Sequence, residues 1–257
     1  MAKWTAFPHL GEYQYDEASV ARAWHRLHAG DAEPLPTDAK VLHAWTLYHN
    51  GEFQQAFEAG LAAGEAGTTV ANKAACIYAN YLEKKEKARR ALFQEAAHRA
   101  QVQAAEHPAQ PAAWYWQAYA LGRYSQGISV AKALAQGLGS RVKEALERTI
   151  RLEPRHADAH IALGTFHAEV IDKVGSLIGG MTYGAKKETG LGMFQEALRL
   201  YPEAPIALIE YANGLVMFEG EAKLKEAKAL YARAAAMQPL DAEEWLDVEL
   251  ARAALAA

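Results

Sequence analysis

The chain has too little cysteine for an internal disulfide: Cys76 is the only one in 257 residues. It stands among Ala75, Ile77 and Ala79, where a thiol serves as a small buried hydrophobe. No run of about 18 apolar residues occurs, so no segment is suited to crossing a bilayer as a helix. The opening residues, Met1-Ala2-Lys3-Trp4-Thr5-Ala6-Phe7-Pro8-His9, lack the basic stretch and unbroken apolar run of a secretory signal, and a cytoplasmic location is the expectation. A dominant charge is lacking too. Lys+Arg 27 against Asp+Glu 31 leaves a net charge of −4, which excludes a whole-chain field that would draw the protein to nucleic acid or to an anionic membrane. The alternating pattern of half-buried strands is almost absent.

What is present is the composition of a folded protein. Hydrophobic residues make up 51% and charged residues 23%, far from the profile of a disordered chain. From Asp16 onward apolar residues recur three and four positions apart, the helical period. Short breakers interrupt at residues 30–36, 50–51, 64–68, 107–111, 153–154, 201–205 and 238–239. Helices of about 12 to 20 residues joined by such short connections stack as antiparallel neighbours. Helix should therefore exceed about 65% of residues, twice the usual share.

One phrase recurs. A long amphipathic helix closes with a proline two residues after its last leucine or similar apolar residue, and a new helix opens within three residues. It is found in Ile150-Arg151-Leu152-Glu153-Pro154, in Leu198-Arg199-Leu200-Tyr201-Pro202 and in Ala235-Ala236-Met237-Gln238-Pro239. The helices that open each pair carry Trp114, Ala118 and Leu121; Leu163, Gly164 and His167; and Leu208, Tyr211, Ala212 and Leu215. The helices that close them carry Leu146 and Thr149, Phe194 and Ala197, and Ala227, Tyr231 and Ala234. Residues 47–56 supply an earlier inter-helix turn. These residues resemble the tetratricopeptide repeat. Small residues such as Ala118, Gly164 and Ala212 let helices approach closely, larger ones fill the holes between pairs, and no pair can bury its apolar face alone.

That resemblance implies an all-α protein, a right-handed α-solenoid of antiparallel helix pairs. The repeat normally spans about 34 residues, but the intervals from Pro108 to Pro154 and from Pro154 to Pro202 are longer, so the middle repeats carry insertions at 124–140 and 174–187. With these insertions, the stretch from Trp114 to Met237 resembles the regulator of microtubule dynamics family in its bacterial branch and, more distantly, the tetratricopeptide accessory component of tripartite (TRAP) substrate transporters. Residues 1–36 match neither pattern and are read as an N-terminal cap; residues 37–257 are read as one helical solenoid.

Catalytic chemistry finds little support. Gly179 and Gly184 are spaced like phosphate-loop glycines, but Ala185 stands where the lysine belongs and no strand precedes it; a flexible inter-helix insertion, a gate or a partner-contact loop are the other readings of this segment. Among 10 histidines, His156 and His160 lie four apart on one helix face, with His167 and Asp172 beyond. Zinc needs three or four convergent ligands, and His160 and His167 fall at packing or groove positions, so packing or solvent exposure is preferred over a metal. Ser125, Ser129 and Ser140 lack a nucleophile-elbow context. Asp241 and Glu244 read as a helix capping box. The run Glu83-Lys84-Lys85-Glu86-Lys87-Ala88-Arg89-Arg90 reads as a solvated helix face, with a local anion-binding patch as the sharper alternative. No cofactor and no metal are expected.

The concave wall of such a solenoid is built from the first helices of the pairs. The residues predicted to face it are Tyr115, Tyr119 and Arg123; Ile161, Thr165 and Glu169; and Ile209, Asn213 and Val216. Tyr115, Ile161 and Ile209 occupy positions where a carboxylate clamp would need basic residues, so that mode of peptide capture is not expected. The reading is a non-catalytic scaffold holding a protein or peptide partner, with no nucleic acid and no membrane span; self-association is left open. The alternative is a small-ligand accessory protein whose groove is closed by the insertions at 124–140 and 174–187. An enzyme has no motif in its support.

Overall fold

A computed structural model describes residues 3–256; the reading of the amino terminus falls partly on Met1 and Ala2, which lie outside them. Helix accounts for 76% of the chain, and no strand occurs among the described residues. The helices are α1 (Glu17–Leu27), α2 (Ala39–His49), α3 (Phe53–Ala62), α4 (Thr68–Tyr81), α5 (Glu86–Glu106), α6 (Pro111–Gln126), α7 (Val130–Ala135), α8 (Leu138–Leu152), α9 (Ala157–Val174), α10 (Ser176–Tyr183), α11 (Lys187–Leu200), α12 (Pro205–Glu219), α13 (Leu224–Ala235) and α14 (Ala242–Ala256).

Their ends follow from local chemistry. Asp16 accepts the Ser19 N–H and caps α1, and Asp38 accepts the Lys40 N–H and caps α2, satisfying amides that have no partner within the helix. Pro111 and Pro205 open α6 and α12, where the missing N–H costs nothing. The helices α8 and α11 stop two residues before Pro154 and Pro202, because a residue before proline is disfavoured in helical geometry.

The chain divides into two compact units. The first comprises Met1–His28, Glu33–Leu152 and Asp241–Glu243. Here α2 pairs with α3, α4 with α5, and α6 with α8, while α2, α4 and α6 stack on one another. Residues ahead of α1 lie on this stack: the Trp4 ring stacks on Tyr78 at 4.1 Å and Phe7 is buried edge-on to Phe53. Trp45 and Tyr48 are fully buried, and beside them His49 Nδ1 lies 2.7 Å from Asp241 Oδ2. Lys73 Nζ meets Glu243 Oε2 at 3.1 Å, and Tyr48 donates its hydroxyl to the same oxygen.

The second unit comprises Ala29–Ala32, Glu153–Leu240 and Glu244–Ala257. It pairs α9 with α11 and α12 with α13, with α9 and α12 side by side. Phe194, 0% exposed, fills the space between α9 and α12. Ala251 of α14 joins the core made by Leu208, Ala212, Leu215 and Leu230.

Both insertions are largely helical. Residues 124–140 finish α6 and form α7, whose first turn is capped by the Ser129 hydroxyl accepting the Lys132 N–H. The glycine-rich stretch folds into α10, bounded by Gly175 and by Gly184, which has a left-handed φ of +65°. Asp241 is engaged with His49, while Glu244 accepts the Leu240 N–H and the Tyr201 hydroxyl.

Candidate functional site

The predicted groove residues divide between the units and are described unit by unit. In the first, Tyr115, Tyr119 and Arg123 follow one another along α6 at intervals of four, so they share a stripe. Tyr115 is buried at 5% exposure, its ring edge-on to Trp116. Tyr119 and Arg123 are half-buried, with the Arg123 guanidinium 5.3 Å over the Tyr119 ring, a geometry worth about 0.5–1 kcal/mol near the surface. Burial pushes the Tyr119 phenol well above its ordinary pKa, so the ring stays neutral. Ala118 and Leu121 are buried as expected of packing residues. Trp114 is half-buried, its indole N–H donated to the Pro108 carbonyl, whereas Trp116 is buried in the core.

In the second unit, Ile161 and Ile209 are buried at 5% and 1%. Thr165, Glu169, Asn213 and Val216 are half-buried. Thr165 donates its hydroxyl to Glu210 at 3.3 Å, Glu169 pairs with Lys173 at 2.9 Å, and Asn213 accepts the Tyr231 hydroxyl at 2.5 Å. The Tyr231 phenol is raised in pKa by burial and by the nearby Glu210. Glu210 itself, 9% exposed, escaped the sequence reading; a charged residue in an apolar helix stretch was the available signal. Tyr115, Ile161 and Ile209 thus lie behind the accessible atoms, while Tyr119, Arg123, Thr165, Glu169 and Asn213 present them.

His156, His160 and His167 each have a structural partner. His156 caps α9 by accepting the Ala159 N–H, His160 Nε2 lies 3.0 Å from the Pro154 carbonyl oxygen, and His167 Nδ1 accepts the Lys186 N–H. The one group of ligand-type side chains that converges among the described residues is Glu65, Glu106 and His107, all exposed. Cys76 is fully buried, which pushes its thiol up to about 12 and keeps it protonated.

Stacked antiparallel helix pairs, with small residues where helices cross and apolar faces shared between neighbours, define a tetratricopeptide-type α-solenoid. Residues 41–244 match the model of regulator of microtubule dynamics protein 1-3, and the chain belongs to that family. A solved tetratricopeptide protein from the thermophile Thermus thermophilus is similar in fold: its TM-score is 0.59 at 16% identity, over 83% of this chain and 97% of that one. No curated protein matches the chain in sequence.

Among the described residues no helix is long and apolar enough to cross a membrane.

Proposed function

We propose that the chain is a non-catalytic scaffold that holds a protein or peptide partner on the first helices of its repeats. The observation that carries this reading is the Tyr119–Arg123 pair on α6. It sits on a helix already packed through its other faces by Ala118, Leu121 and Trp116, and aromatic residues with arginine are the commonest energetic anchors at interfaces. Thr165, Glu169 and Asn213 of the second unit are the polar groups proposed to contact the partner there. Tyr115, Ile161 and Ile209 contribute by holding these helices in place.

The test is affinity capture from a native lysate with the wild-type chain beside a Tyr119→Ala, Arg123→Ala variant, identified by mass spectrometry. A protein retained by the wild type and lost by the variant, with the melting temperature moved by only a few degrees, supports the reading. Equal capture by both sinks it.

A further inference from the structure

The first unit contains a cavity of about 620 Å³ between the end of α4, the start of α5, the end of α6 and the α6–α7 turn. That is the size of a small-molecule site. Its lining carries Arg89, Arg90, Arg123 and Lys132, and Glu86 is the one acidic residue among its lining residues. We infer that this cavity binds a small anion bearing a phosphate monoester or diphosphate group.

Charge is the first argument. Glu86 reaches Arg89 at 2.7 Å and Arg90 at 3.7 Å, and it is the one carboxylate in a lining that carries four cationic side chains. Folding brings these like charges together at a cost that a dianion or trianion removes. A monovalent carboxylate would leave most of that repulsion in place.

Placement is the second argument. The Arg90 guanidinium donates to the Gly127 carbonyl at 2.9 Å, and its side-chain stem lies against Gly127 itself. The Arg123 guanidinium is held over the neutral Tyr119 ring and lies 3.3 Å from Gln126 Oε1. Two guanidiniums are thus fixed before any ligand arrives, which lowers the entropy cost of binding. Their planar forks match phosphate oxygens. One side of the cavity comes from the insertion, whose Gly127, Ile128, Ser129 and Lys132, at the α6–α7 turn and the start of α7, are among the lining residues. Phe93 and Ile128 add an apolar face for the organic part of a phosphate ester.

This inference shares Arg123 with the partner-binding reading but does not rest on it, and its test uses Arg90 and Lys132, which belong to no proposed partner contact. The probe is pyrophosphate, titrated calorimetrically into the full chain at low salt. We expect saturable one-to-one binding that weakens as salt rises, and a loss of about tenfold or more in affinity for Arg90→Gln and for the exposed Lys132→Gln. Arg252→Gln, which removes one charge far along the sequence on α14, should bind as the wild type does. A second arm uses phosphatidylcholine vesicles doped with phosphatidate. Sedimentation with the vesicles, lost in Lys132→Gln and without binding of pyrophosphate, assigns the phosphate to a lipid headgroup; pyrophosphate binding without sedimentation assigns it to a soluble ester. If neither probe binds, or if Lys132→Gln and a folded Arg90→Lys, Lys132→Gln double variant bind both as the wild type does, the inference is overturned.

Discussion

The ring of Phe194 rests on the bare backbone of Gly164: a Cβ built at 164 would stand 2.9 Å from it, closer than carbon atoms pack. Gly214 approaches the same ring from α12, and a Cβ there would come within 2.5 Å. Alanine has the better helix propensity by about 1 kcal/mol, so the two effects oppose each other. Overpacking a close-packed site costs about 1–3 kcal/mol, and the rigid ring, buried on all sides, cannot yield cheaply. Gly164→Ala and Gly214→Ala should each therefore lower stability in urea unfolding, Gly214→Ala by more. A midpoint that rises in either variant would show that the propensity term wins.

The buried contact between His49 and Asp241 joins positions 192 residues apart. Removing one partner of a buried polar pair leaves the other with its desolvation cost unmet, typically about 3–5 kcal/mol for charged pairs. Asp241→Ala should lower the unfolding midpoint far more than Asp158→Ala, a half-buried carboxylate in the first turn of α9. Equal shifts in the two variants would contradict the importance of the pair.

Cys76 titrates in a way that links pH to stability. Burial raises its thiol from 9.0 to about 12. The unfolded chain therefore loses this proton first, so the contribution is fully present below about pH 9 and is lost as pH rises toward 12. Denaturant midpoints of the wild type should fall over that window, and those of Cys76→Ala should fall less. At pH 8 the native thiol should resist iodoacetamide and label only as the chain unfolds; rapid labelling of the folded protein would show that it is accessible.

The helix α10 exposes Leu177, Ile178 and Met181 at 75%, 58% and 83%. Side chains this open contribute little to folding, so serine at all three should change stability by no more than about 0.5 kcal/mol each while reducing self-association measured by light scattering. A drop in melting temperature of many degrees would mean that α10 is packed in solution.

How much of this was written locally is clearest residue by residue. Asp16, Asp38, Pro111, Pro205, Pro154 and Pro202 set helix ends through their own backbones and immediate neighbours. The small positions Ala118, Gly164 and Ala212 were legible because a helix–helix crossing needs them wherever it occurs. Those features, with the spacing of apolar residues, were enough for the helix pairs and their repeat. The flank of each first helix was not so determined. Tyr115, Ile161 and Ile209 have the spacing of groove residues, yet they are buried, because a neighbouring helix covers that flank and periodicity alone does not say which side it covers. Trp114, expected at a packing position, is half-buried, whereas Trp116 two residues on is buried. Likewise the pairing of His49 with Asp241, and the gathering of Arg90 with Arg123 and Lys132 around one cavity, depend on contacts between residues distant in sequence. Helix formation is a short-range equilibrium that side chains three or four apart can specify, whereas which side chains meet across a stack depends on how whole helices pack.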